Sequence, residues 1–316
     1  MNSRCVMRAI VLVGGLLGMA GLQTVVALAR PVSVVATTTI VGDVVAAIGG
    51  GEVELSVLIP AGVDPHAFEP TPRDVISVAD ADIVFVSGAG LEQALLPLLG
   101  NSGADPVDLS ARIALRTLGD QEDADLEHGG EHLDVGWDPH VWFDPTNVMI
   151  WTDEIAEALS QADPDHAQQF ADRAAEYRGQ LAELDAWIWG AVSRLPREQR
   201  RIITDHAVLG YFAARYDFDP MGTVLPGFSS LSEPSAREIA HLQDQIASSG
   251  VAAIFVGQTV NPALSQRIAT DTGVSLVVLY TGSLGTEGGP ASDYLGMMRT
   301  NVTNIVNALL GESGLE

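Results

Sequence analysis

The sequence predicts an α/β protein of two lobes, each on a mostly parallel sheet, joined by one long rigid helix. Three observations carry this. Short β-branched runs alternate with apolar helical segments before residue 162, and again after residue 197. Between them, Pro164 to Leu195 has no internal proline, and its apolar residues Phe170, Tyr177, Leu181, Leu184, Ile188, Val192 and Leu195 mark one helical stripe. The chain has 316 residues, 47% of them apolar, enough for two modest cores.

The long segment has matching ends. Pro164 suits a first helical turn, Asp163 is the expected N-cap, and Pro196 stops the run. Roughly 32 residues at 1.5 Å each would span about 48 Å, the width of a small domain. It reads as a spine between lobes; the alternative is an ordinary long surface helix. The expected division is a signal peptide over 1–29, a first lobe over 30–162, the connecting helix over 163–196 and a second lobe over 197–316.

At the N-terminus, Arg4 and Arg8 precede an apolar run from Ala9 to Leu28, and Ala27-Leu28-Ala29 is an A-x-A cleavage signal. Cleavage after Ala29 would make the protein periplasmic and soluble. A retained anchor is the alternative, since the run is long enough to span a bilayer; the small residues and the β-like segment just beyond favour removal. Cys5, the only cysteine, precedes the run, so it cannot serve as a lipid-attachment site after it. One cysteine also excludes an intramolecular disulfide and any thiolate cluster.

In the first lobe, Val32 to Ala36 is a buried strand, followed by a helix over Ile40 to Ile48 that Gly49-Gly50-Gly51 breaks. Val53 to Ile59 alternates like a strand, a loop covers Pro60 to Thr71, and a helix opens at Pro72. Ile83 to Val86 is a third strand, then a turn at Ser87-Gly88 and a helix over Leu91 to Leu99. In such sheets ligands gather beyond the carboxyl ends of the strands, where the Pro60–Thr71 loop should lie. Gly119 to Gly136 interrupts the pattern with seven acidic residues and two histidines, an excursion with little to bury. A helix over Pro145 to Ala162 then leads to the spine.

The second lobe repeats the alternation. Ile202-Ile203 leads a strand into Thr204-Asp205-His206, with a helix continuing to Tyr216. Helix over Ser235 to Ser248, strand over Ala253 to Val256, helix over Ala263 to Gly273, strand over Ser275 to Leu279 and helix over Asp293 to Leu310 complete it.

Charge excludes some partners. Forty-one acidic residues oppose 16 basic ones, giving a formal charge of −25, and every basic residue is arginine. Nucleic acid and anionic membrane surfaces are therefore poor partners. No phosphate loop, H-E-x-x-H or G-x-S-x-G is present, and Ser87-Gly88-Ala89-Gly90 lacks a lysine to complete a phosphate cradle.

The seven histidines are informative by position. His66 ends Asp64-Pro65-His66, His140 ends Asp138-Pro139-His140, and His206 follows Asp205. Each lies where a loop meets an element, with an aspartate one or two positions before it. Imidazole coordinates a borderline-soft cation through one nitrogen while the other donates to a carboxylate or carbonyl, so the aspartates suit that supporting role. His166 and His241 fall among polar helical neighbours and read as solvated. His128 and His132 flank Gly129-Gly130, and read either as a mobile metal-collecting loop or as a plain solvated acidic one.

These blocks resemble the substrate-binding proteins of metal-ion ABC importers, the zinc- and manganese-binding cluster A-I family. The similarity runs from Val32 to Leu310. It rests on Ile59-Pro60-Ala61-Gly62-Val63-Asp64-Pro65-His66 with Phe68-Glu69-Pro70, on Asp138-Pro139-His140-Val141-Trp142, on Thr204-Asp205-His206 with Gly210-Tyr211-Phe212, and on Asp293-Tyr294 with Met297-Met298-Arg299. The resemblance implies two α/β lobes bridged by one helix, with the metal held in the cleft by His66, His140 and His206. It also implies a permease and its ATPase as partners, a monomer, and no catalytic residues. Many members carry a further aspartate ligand in a T-D-S turn; here that turn reads Thr281-Gly282-Ser283. Water or a carboxylate from elsewhere would replace it, Glu287 being nearest in sequence.

Three imidazoles with few oxygen ligands favour Zn²⁺, with Mn²⁺ the alternative. Affinity is expected to fall below about pH 6.5, where free imidazole takes a proton. Loop 119–136 is expected to collect metal or to receive it from a periplasmic metallochaperone. A zinc hydrolase is a rival of another class, since three histidines and an open position also describe a catalytic zinc. A surface adhesin using metal only for folding is a third.

Overall fold

A computed structural model describes residues 30–102, 106–117 and 136–311. The leader expected over 1–29 lies outside these residues, as do His128, His132 and nearly all of loop 119–136. Among the described residues no helix is long and apolar enough to cross a membrane.

The first lobe is a four-stranded parallel sheet in the order β2-β1-β3-β4, with β1 Val32–Ala36, β2 Val53–Val57, β3 Ile83–Val86 and β4 Val107–Asp108. Alternation along β1 supplies both of its faces. Val32, Val34 and Ala36 join one core with helices α1 (Thr39–Gly49) and α4 (Pro145–Ala162). Val35 points the other way, with Val84 and Val86, against Val78 of α2 (Pro72–Asp80) and Leu98 of α3 (Leu96–Ser102). A parallel sheet covered on both faces needs such continuous apolar strands.

The second lobe repeats the design in the order β6-β5-β7-β8: β5 Arg201–Thr204, β6 Asp219–Thr223, β7 Ala253–Gly257 and β8 Ser275–Leu279. Its helices are α6 (Gly210–Tyr216), α7 (Ala236–Ser249), α8 (Ala263–Thr272) and α9 (Tyr294–Leu310).

The spine is shorter than the sequence predicts. A 3₁₀ turn covers Pro164–His166 and the α-helix, α5, runs Ala167–Val192, 26 residues or about 39 Å. Asp163 does not cap the backbone; its carboxylate takes the His166 ring nitrogen at 2.6 Å, and His166, at φ −106° and ψ 8°, leaves the helical region. The stripe itself is as expected: Phe170, Tyr177, Leu181, Leu184, Ile188 and Val192 are buried along α5, with Leu195 buried just beyond it. It packs on α1 and α4 of the first lobe and on α6 and α9 of the second. One apolar core therefore runs from Val34 through Leu184 to Val306. Rotation of one lobe against the other would have to shear it, which limits opening to small motions.

Four other elements differ from expectation. The segment expected as a helix over Leu91 to Leu99 is a 3₁₀ turn at Gln93–Leu95 followed by α3. The second strand stops at Val57, although Leu58 and Ile59 still donate to Ala36 and Thr37. Strands β4 and β6 have no sequence signal. Both are edge strands, one two residues long, the other carrying Pro220 and Gly222, as an edge permits.

Candidate metal centre

Loops at the carboxyl ends of the two sheets meet, and three imidazoles converge there. His66 stands in the loop between β2 and α2, after an Asx turn in which Asp64 Oδ1 accepts the His66 backbone N–H at 3.0 Å. His140 precedes the 3₁₀ turn Val141–Phe143, and His206 follows β5. Each of the three rings offers a nitrogen, and these nitrogens lie within 4.8 Å of one another. His66 Nε2 and His140 Nε2 are 3.2 Å apart. Two metal–nitrogen bonds of about 2.0–2.1 Å at a tetrahedral angle would put their nitrogens roughly 3.3 Å apart, so this pair already has the spacing of ligands on one ion.

Two of the rings are held from behind. Asp138 Oδ1 accepts both the backbone N–H of His140 at 3.0 Å and its Nδ1 at 2.8 Å. Asp205 Oδ1 does the same for His206, at 2.7 and 2.8 Å. With the hydrogen of each ring on Nδ1, as these contacts assign it, Nε2 is left as an acceptor facing the cavity. Asp64 works differently. Its Oδ1 holds the His66 backbone and its Oδ2 accepts from Ser230 Oγ of the second lobe at 2.5 Å, so it orients the loop rather than the ring.

Burial sets the protonation. The His66 ring is pushed down to about 3 by desolvation first and by the neighbouring imidazoles second. His140 is driven well below the ordinary imidazole value by the same burial, and the Asp138 carboxyl is pushed up to about 7. Removing charged groups from water is costly, and cations crowded together repel, so the His66 and His140 rings favour the neutral form. Proton competition at His66 therefore starts well below the pH of about 6.5 expected for free imidazole.

The cavity between the rings is small, about 10 Å³, room for one water-sized sphere. Asp64, Pro65, Val208, Thr259, Thr281 and Gly282 complete its wall. Gly282 thus stands at the site but contributes no ligand, and Glu287 is exposed. Thr281 belongs to the turn singled out in the sequence, whereas Thr259 brings a hydroxyl-bearing side chain that sequence reasoning missed, since no spacing rule links residue 259 to residue 66. Ser230 was missed for the same reason.

The other sequence candidates lie elsewhere. His166 pairs with Asp163, and His241 is exposed on α7. The amides of Ser87 and Gly88, which a phosphate would need, are taken by the buried Glu92 carboxylate at 2.7 and 3.1 Å, with Thr37 Oγ1 also donating to it.

The lobes are stitched together around the cavity. Gly62 N donates to Ser283 Oγ at 2.9 Å, Trp142 Nε1 to the Thr281 carbonyl at 3.1 Å, and Tyr211 OH to the Asp138 carbonyl at 3.3 Å.

Comparison with known proteins identifies a family for the chain. The family described as zinc-uptake complex component A, periplasmic, matches residues 34–308. The manganese-binding lipoprotein MntA of Halalkalibacterium halodurans is 34% identical over 278 residues, 87% of this chain and 88% of that protein. The zinc-binding protein TroA of Treponema pallidum is 30% identical, over 87% of this chain and 88% of its own. The solved structure of the periplasmic zinc-binding protein TroA superposes with a TM-score of 0.77 at 28% identity, covering 89% of this chain and 99% of the other.

Proposed function

The chain belongs to the zinc-uptake component A family, the cluster A-I substrate-binding proteins of metal-ion ABC importers, and on that premise we propose that it captures zinc. His66, His140 and His206 are the proposed ligands. The observation that carries this reading is the convergence of three imidazole nitrogens on one small cavity, with Asp64 the one carboxylate among the described residues that lines it. The oxygens of Asp64 hold its loop, one accepting the His66 backbone N–H and the other the Ser230 hydroxyl. A nitrogen-rich set suits Zn²⁺ better than the harder Mn²⁺, and affinities at such sites rise from manganese towards copper and zinc. Manganese is the second reading, favoured by the 34% identity to a manganese-binding relative.

The ion is cargo, delivered to a membrane permease driven by an ATPase. The family is one of solute-binding transport proteins, so the hydrolase alternative is set aside. The remaining proposals concern organisation: a leader over 1–29 cleaved after Ala29, a periplasmic monomer, and lobes over 30–162 and 197–316 bridged by 163–196. For loop 119–136 the proposal is metal collection or receipt from a metallochaperone; deleting residues 120–134 should slow loading and leave affinity intact.

Competitive titration of the metal-free protein with Zn²⁺ and Mn²⁺ tests the reading, alongside His66→Ala, His140→Ala and His206→Ala. One zinc site that each substitution weakens, and that manganese barely displaces, is the expected result. Preference for manganese would overturn the choice of metal, and indifference to all three substitutions would overturn the ligand set.

A further inference from the structure

Gly282 lies in the turn after β8, on the second lobe, directly opposite Pro65 on the first. A Cβ at position 282 would stand 2.7 Å from Pro65 Cδ and 3.1 Å from Pro65 Cγ. Carbon atoms in contact prefer about 3.5–4.0 Å, so the proline ring occupies the space a side chain would need. A long flexible side chain would swing aside. Proline has no such freedom, because Cδ is bonded to its own backbone nitrogen and φ is locked. Relief must therefore come from backbone, that of the turn at residue 282 or that of residue 65, and the residue after Pro65 is His66.

The same short stretch is tied to the second lobe just ahead of that contact. Gly62 N donates to Ser283 Oγ at 2.9 Å, and Ser230 Oγ donates to Asp64 Oδ2 at 2.5 Å. His140 and His206 differ, since each has its ring nitrogen fixed by a buried aspartate of its own lobe. His66 is placed by its loop, and its loop is placed by the second lobe.

We propose that Gly282 is a positioning residue for His66: the missing side chain lets Pro65 seat against the second lobe, and that contact sets how far His66 reaches into the cluster. The proposal rests on the reading of His66 as a metal ligand. Position 282 then does more than lack a ligand.

The test is Gly282→Ala, which adds a methyl group and no donor atom. Zinc affinity by chelator competition is expected to fall about tenfold or more, as with loss of other ligand-positioning contacts. Visible absorption of the Co²⁺-loaded protein should weaken as the coordination geometry loosens. In a His66→Ala background the same change should cost nothing further, because the two act through one ring. Pro65→Ala, which removes Cγ and Cδ, should restore most of the affinity of Gly282→Ala. If Gly282→Ala does not fold, the double variant carries the test, and weak binding by it overturns the proposal. Wild-type affinity in Gly282→Ala while His66→Ala binds weakly also overturns it, as does tighter binding by Gly282→Asp. If His66→Ala itself binds normally, the ligand reading fails instead, and the two failures stay distinct.

Discussion

Asp205 grips His206 twice through one oxygen, at 2.7 Å to the backbone nitrogen and 2.8 Å to ring Nδ1, while its second oxygen takes the Gly257 amide of β7 at 2.7 Å. The imidazole is thereby referenced to the central strands of the second sheet. An amide in place of this carboxylate would set an NH₂ group against an N–H that needs an acceptor. Asp205→Asn is expected to lower zinc affinity by about 10–100-fold, the usual cost of losing a partner behind a metal-bound histidine. Chelator-competition titration checks this, and an unchanged affinity would show that the ring is oriented by packing alone.

Acid should weaken the metal-free protein through His66. In the folded state its ring stays neutral down to about pH 3, whereas in the unfolded chain it takes a proton near 6.5. The unfolded state binds more protons between those values, so this contribution is intact above about 6.5 and is lost as pH falls towards about 3. His66→Asn, which cannot titrate, should lose less stability than wild type between pH 7 and pH 5, by about 2 kcal/mol at most. Urea midpoints at the two pH values measure the difference, and parallel curves would count against a neutral buried ring.

Asp43 of α1 predicts the opposite slope. Its carboxylate accepts from Tyr294 N at 2.9 Å and Tyr177 OH at 3.4 Å, joining α1, α9 and the spine, and burial raises its pKa from 3.8 to about 6. The folded protein holds this proton more tightly, so its contribution is full below 3.8 and is lost as pH rises through about 6. Asp43→Asn keeps a carbonyl acceptor without the charge. It should be more stable than wild type at pH 8, by at most about 3 kcal/mol, with the gain gone at pH 4. A gain of equal size at both pH values would point to packing instead.

Leu184 sits fully buried in the middle of α5, within the core shared by both lobes. Leu184→Ala should cost about 2–5 kcal/mol. Because that core is continuous, thermal unfolding should stay a single transition at lower Tm. Two separated transitions in calorimetry would show that the spine does not couple the lobes.

Much of this molecule was legible in the sequence. Local periodicity placed β1, β3, β5, β7 and most of the helices, and the spine's stripe matches the residues it buries. Apolar spacing and backbone geometry act over a few residues, so a linear reading captures them. The junction positions of His66, His140 and His206 were visible too, as were the aspartates beside them.

Only the tertiary structure decided the rest. Edge strands β4 and β6 exist because a neighbouring strand offers hydrogen bonds, not because Val107-Asp108 or a segment with Pro220 favours a strand. The α-helix of the spine starts late, after His166, whose ring pairs with Asp163 in a side-chain contact that helical spacing does not encode. The three aspartates look alike in sequence, yet two hold rings and Asp64 holds its loop against Ser230. The approach of Pro65 to Gly282, 217 positions apart in this numbering (282 − 65), follows from how the sheets sit across α5. The sequence by itself determined which residues carry nitrogen and carboxylate at the ends of strands. Long-range packing decided which of them meet and in what geometry, because the distance between two lobes depends on every contact in the core that joins them.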